Sequence, residues 1–194
     1  MIQSTSNPLI ERILGSFSSG FYAMHSLLQL VAIEETKSIP TAAVECKIAP
    51  RLLINPEFVR DHAETPEKLM ILVMHELHHV LLGHTRLFPT ATPVDNLLFD
   101  AVINALLCKM FTDESYTSFF TEYYDDRDFP HCLLRPPRGW KPGSVFEKPP
   151  ALRDKPDEVF SVYRLLYSEA GASYDDLYDI LRKLIPSSKC KNVQ

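Results

Sequence analysis

Residues 69–84 read LMILVMHELHHVLLGH, a run that holds His75, Glu76, His78, His79 and His84. His75-Glu76-x-x-His79 is an H-E-x-x-H pattern. On a helix, residues four apart share one face, so two imidazoles can reach a single Zn2+ while the glutamate sits one step round and can hold a water. Alone, the pattern is suggestive rather than decisive.

The surroundings of the pattern strengthen it. Thr65-Pro66-Glu67 is a helix start: a capping hydroxyl, a proline at the first position and an acid in the first turn. The spacing predicts a helix from there to about Leu82, roughly 25 Å long at 1.5 Å per residue, with Gly83 as its stop. Leu69, Met70, Ile71, Leu72, Val73, Met74, Leu77, Val80, Leu81 and Leu82 make it apolar nearly all round, the mark of a buried helix. Histidines and a glutamate in such a place are costly unless something pairs them, and a metal ion would do so.

The helix expected next starts at Thr92-Pro93 and runs to about Phe111. Asp95 is explained as a first-turn acid. Asp100 is not: it sits among Leu97, Leu98, Phe99, Ala101, Val102 and Ile103, with Asn104 one turn on. An interior aspartate on an apolar helix needs a cation or strong donors.

Earlier in the chain, Asn7-Pro8 predicts a short helix through Leu14, followed by a Ser/Gly break at residues 15–20. Residues 21–33 suit a mostly buried helix, on which His25 reads as structural. Residues 41–48 and 51–54 are β-leaning and suit a hairpin or two strands of one small sheet. Asn55-Pro56 predicts another short helix through about His62, itself a surface residue. Residues 112–150, acidic and aromatic and then proline-rich, predict a long irregular segment, either a lid or a wrap over the core. Helices are expected at residues 156–170 and 173–185. The absence of repeats favours one domain over residues 1–194, with a core at about 8–140 and a helical extension at about 150–186.

Composition narrows the function classes. Hydrophobic residues at 45% and charged ones at 23% are the mix of a globular protein. A net charge of −5 gives no reason to expect nucleic acid or an anionic membrane as partner. Apolar runs stop well short of the roughly 20 residues that a membrane span needs, and residues 1–15 lack the pattern of a secretory signal. Cys46, Cys108, Cys132 and Cys190 have no C-x-x-C spacing and read as reduced thiols. The expected location is the cytoplasm.

Neutral imidazoles at His75 and His79 would bind zinc, and a catalytic site adds a third protein ligand and an open position. Asp100 is the preferred third ligand. His84 is the alternative, but nine residues of continuous helix would carry it about 180° from His75, so it can ligate only if the chain doubles back at Gly83. Zinc lowers the pKa of a bound water toward ~7. Glu76 would take the water's proton as the oxygen attacks a carbonyl, and return it to the leaving amine. His131, Tyr123, Tyr124 and Arg135 are candidates to hold the oxyanion, and no spacing selects among them. His78 points about 60° from His75 and reads as a partly exposed or outer-sphere residue.

HELHHVLLGH followed by DAVINALL, and preceded by TAAVECKIAPRLLINPEF, resembles the zincin-type metallopeptidase domain that accompanies von Willebrand factor A-like domains in bacterial proteins. The resemblance covers roughly residues 8–140, and the combined motifs are far more specific than H-E-x-x-H alone. It implies an α+β, zincin-like fold, mainly helical, with a small β-sheet beside the active-site helix. It also implies His75, His79 and Asp100 as zinc ligands, Glu76 as the catalytic acid/base, and residues 41–54 as a sheet edge that pairs with an extended substrate. The D-x-S-x-S motif of the partner domain does not occur, so the expectation is a stand-alone relative or a fragment.

The function expected is hydrolysis of a peptide bond in a peptide or protein substrate. One rival keeps the zinc but not the activity, as a metal-stabilised binding or regulatory module. Another is hydrolysis of a non-peptide amide.

Overall fold

Four helices begin with the same pair of residues, a side-chain cap followed by proline. Asn7 and Asn55 each accept a backbone N–H two residues on, at 2.9 Å. Thr65 and Thr92 accept the N–H three residues on, at 3.3 and 3.2 Å. Each cap satisfies a backbone donor that the first helical turn leaves unpaired, and each proline occupies a position that has no N–H to lose. The computed structural model describes residues 7–17, 26, 28, 31–45, 50–84, 91–169, 180 and 183. Two compact units divide the chain, residues 1–89 and 90–194.

The first unit contains helix α1 (Pro8–Ser16), strands β1 (Ala32–Glu35), β2 (Ala42–Val44) and β3 (Arg51–Ile54), and helices α2 (Pro56–His62) and α3 (Pro66–Leu81). The sheet order is β1-β3-β2, with β1 parallel and β2 antiparallel to β3. Leu52 and Ile54 on β3 are fully buried. Helix α3 packs against both α1 and β2, so the small sheet does lie beside the helix that carries the histidines. Its residues from Lys68 to Met74 are all buried, together with Glu76, Leu77 and His78. This is the burial that its all-round apolarity predicts, but it stops short of the C-terminal end, where Leu81 and Leu82 are exposed.

Two expectations change here. Residues 21–33 do not form a helix reaching Ile33: residues 32–35 are strand β1, held by pairing with β3 and by the Thr36 N–H donated to the Ile54 carbonyl at 2.9 Å. The other residues of that expected helix, His25 among them, lie outside the described residues apart from 26, 28 and 31. Of the two strands expected near a sheet edge, only β2 is at one. β3 is central, with a partner on each side. Arg51 ties the three strands together through Glu34 and Glu45, each at 2.6 Å.

The second unit contains α4 (Pro93–Met110), α5 (Glu114–Tyr123) and α6 (Asp157–Leu166), with one-turn 3-10 segments at His131–Leu134 and Pro150–Leu152. Asp95 is the first-turn acid that the sequence suggests: it closes a capping box, accepting from the Thr92 N–H at 2.7 Å. Helix α4 packs against α5, α6 and the His131–Leu134 turn.

The expectation of an irregular segment beginning at residue 112 is corrected by α5. Asp113 caps it, and Tyr116, Phe119, Phe120 and Tyr123 follow at helical spacing. Aromatic residues at that spacing compensate for the weak helix propensity of the segment by burying one face. Of the two forms offered for the proline-rich part, residues 132–137 take the second: they are buried and wrap over the core. Residues 141–145 are exposed. The helix expected at residues 173–185 lies outside the described residues except for 180 and 183.

The chain is therefore α+β, with six helices and a three-stranded sheet among the described residues. No helix among them is long and apolar enough to cross a membrane.

Candidate functional site

Helix α3 carries His75 and His79 four residues apart, and the two rings meet. Their Nε2 atoms are 3.2 Å apart, and the ring planes are inclined by 65°. Two imidazole nitrogens bound at 2.0–2.1 Å to one tetrahedral Zn2+ would be about 3.3 Å apart. The helix thus presents the pair at the separation that a shared ion requires. Without an ion, the same separation is served by a hydrogen bond in which one Nε2 donates and the other accepts. Both side chains are half-buried, while Glu76, one position round, is buried.

Gly83 gives the end of α3 its form. The Leu82 N–H reaches the His78 carbonyl at 2.9 Å, and the Gly83 N–H reaches the Val80 carbonyl at 3.0 Å. Gly83 itself has φ 72°, the left-handed conformation in which a side chain would be strained. The helical run ends there, and the His84 ring meets the motif from just beyond it. His84 is only 5% exposed, and its Nδ1 lies 3.3 Å from Nδ1 of His79. His84 thus meets His79 at a different nitrogen from the one facing His75. The three histidines form a chain from Nε2 of His75, through both nitrogens of His79, to Nδ1 of His84.

His78 belongs elsewhere. The expectation of partial exposure is corrected: it is buried, and its Nδ1 lies 2.6 Å from the Met74 carbonyl, one turn back on the same helix. Only a protonated Nδ1 can donate there. Burial pushes the His78 pKa down, which favours the neutral ring, with Nδ1 as its one donor. His78 is a satisfied core residue.

In the second unit, Asp100 stands half-buried on α4 between fully buried Leu97, Leu98, Ala101 and Ile103. Asn104 follows one turn later, completely buried, and its side-chain amide donates to the Leu134 carbonyl at 2.8 Å. That bond fixes α4 to the His131–Leu134 turn and sets the direction in which this face of α4 points.

The oxyanion candidates divide by how they are engaged. Arg135 is buried, with Nη1 donating to the carbonyls of Thr121 and Tyr124 at 3.0 and 2.7 Å. Tyr163 donates to the Arg135 carbonyl at 2.8 Å, so Arg135 binds segments of its own unit together. His131 pairs with Asp128 at 2.6 Å. The Tyr123 hydroxyl has its pKa raised by burial, and the Tyr124 carbonyl is taken by Arg135. Sequence spacing does not announce these tertiary bonds, because their partners are 11–28 residues apart in the chain.

An open depression of about 560 Å3 in the first unit is lined by Asn7, Arg12, Glu35 and Pro56 among others, and by none of the histidines. Comparison with protein-family models, with curated proteins and with solved structures gives no match.

Proposed function

We propose that this chain is a zinc-dependent metallopeptidase of the H-E-x-x-H type, with a zincin-like arrangement of helix and sheet. His75 and His79 hold the ion, Asp100 of α4 is the third ligand, and Glu76 is the general base. The observation that carries this reading is the 3.2 Å approach of the two Nε2 atoms on a buried helix. The donor types add to it: two imidazoles with one carboxylate form a common zinc-hydrolase set.

When bound, zinc supplies a Lewis acid that polarises a carbonyl and acidifies water. Glu76, buried beside the ligands, accepts the water's proton and passes it to the leaving amine. The substrate is a peptide or protein, and the short edge strand β2, packed on α3, offers an extended backbone a partner. Buried, free Cys108 and Cys132 fit a reducing compartment such as the cytoplasm.

The test compares zinc content and turnover of a peptide library for wild type, Glu76→Gln and Asp100→Ala. Wild type is expected to hold one zinc and to cleave. Glu76→Gln should keep its zinc and lose turnover by at least ~10²-fold, and Asp100→Ala should lose zinc. A wild type that takes up no stoichiometric zinc overturns the reading. A wild type that holds zinc without cleaving any peptide or amide makes the chain a zinc-stabilised binding module instead.

A further inference from the structure

His84, which meets His79, is neither one of the three ligands nor the base. We infer that His84 is a positioning residue for His79: it accepts the proton of His79 Nδ1 and so leaves the Nε2 lone pair of His79 turned toward His75. This inference rests on the zinc reading for its consequence, but the contact itself is a property of the first unit alone.

A neutral imidazole has one N–H and one lone pair, so a hydrogen bond at one nitrogen decides what the other can do. The two Nδ1 atoms are 3.3 Å apart, and only one of them can carry the shared proton. With the proton on His84, His79 would carry its own on Nε2, and that nitrogen could not bind a metal. With the proton on His79, its Nε2 is free to ligate, and the proton of His84 is on Nε2. Metal-bound histidines are generally held in this way, by an acceptor on the second nitrogen.

The chain is built to place that acceptor. His84 is buried rather than free to rotate in solvent. It follows directly on Gly83, whose φ of 72° takes the backbone out of the helical run of α3 and leaves the His84 ring against that of His79. The same geometry separates this role from that of a ligand, because His84 addresses the Nδ1 side of His79 while His75 addresses the Nε2 side.

The test uses the full chain with His84→Leu, which removes the acceptor, and His84→Asn, whose amide oxygen can stand near the place of Nδ1. Zinc affinity is measured by competition with a chromophoric chelator, and the number of zinc-bound imidazoles by X-ray absorption. His84→Leu should bind zinc about 10–100-fold more weakly with the wild-type number of imidazoles, and His84→Asn should recover most of the loss. Equal affinity in all three proteins, or one imidazole fewer in His84→Leu, overturns the inference. Nitrogen-15 NMR of the metal-free proteins tests it independently of zinc. His79 should carry its proton on Nδ1 in wild type and His84→Asn, and shift toward Nε2–H in His84→Leu. An unchanged tautomer overturns the inference even if zinc binds, whereas a wild type that refuses zinc but passes the NMR test overturns only the metal reading.

Discussion

His75 and His79 face each other through like nitrogens, Nε2 to Nε2 at 3.2 Å, on a helix whose other residues are largely buried. His78 lies between them in sequence, yet turns its Nδ1 onto the Met74 carbonyl of its own helix. One helical turn therefore holds two kinds of histidine, a facing pair and a core residue that is already satisfied.

That division predicts opposite outcomes for substitutions one to three positions apart. Zinc should raise the Tm of wild type, by an amount equivalent to about 2.7 kcal/mol when free zinc is a hundredfold above Kd, and a chelator should reverse the rise. His75→Ala and His79→Ala should abolish the zinc-dependent shift. His78→Ala should keep it while lowering metal-free stability by about 1–3 kcal/mol, since it removes a buried ring together with that ring's hydrogen bond to the Met74 carbonyl. Thermal scans with and without zinc read all of these effects. A zinc-dependent shift that survives in His79→Ala would count against the facing pair as the metal site.

Much of this arrangement is legible in the sequence, and the physics of each element says why. Caps at Asn55, Thr65 and Thr92 are local, so the helices they start fall where the sequence puts them. The all-round apolarity of α3 states its burial as far as His78, but not the exposure of Leu81 and Leu82. Strand β1 is hidden because it is short and largely exposed and gains its definition from backbone bonds to β3. Helix α5 is hidden because acidic and aromatic residues disguise a capped helix. At the site, i,i+4 spacing is enough to bring His75 to His79. The approach of His84 depends on the sign of one backbone angle at Gly83, for which the only signal is the glycine itself. His78 reads as half-exposed because a helical angle of 60° does not say how much of the helix is covered.

Gly83→Ala should be disproportionately damaging for a one-carbon change. An alanine must hold a left-handed backbone, at a cost of about 1–2 kcal/mol, or relax it and draw His84 away from His79. The first course lowers stability with zinc affinity retained. The second weakens zinc as His84→Leu does, and it is the outcome expected if the turn serves His84. Chemical unfolding and chelator competition on the same samples distinguish the two. A variant unchanged in both stability and zinc affinity would show that the turn matters to neither.

Acid sensitivity of the second unit should be traceable to Asp126. Its buried carboxylate is bound by the Arg138 guanidinium, with Nη2 3.0 Å from Oδ1, and this bonding lowers its pKa below the ordinary value. A carboxylate with a depressed folded-state pKa contributes stability that is complete above its unfolded pKa of about 3.9. The contribution is lost as pH falls from there through the lower folded value. Asp126→Asn should therefore lower stability at pH 7 by roughly 1–3 kcal/mol, and should flatten the fall in stability below about pH 4. Arg138 is largely exposed, so the whole effect is assigned to the buried carboxylate. Denaturant midpoints for the two proteins from pH 7 to pH 2 check this, and parallel curves would remove Asp126 from the account.

The two described cysteines should be inert in the folded chain. Cys108 and Cys132 are free and buried in the second unit. Burial pushes both thiols up, and Cys132 reaches about 12 with further help from the charges of Asp128 and Asp126. Thiolate is the reactive form, so at pH 8 neither should react with an alkylating reagent until the surrounding helices open. Mass-spectrometric mapping should find both unlabelled in native protein and fully labelled in denaturant. Labelling of Cys132 at the rate of an exposed thiol would instead mean that residues 132–137 open readily, and that the wrap over this core is a moving part.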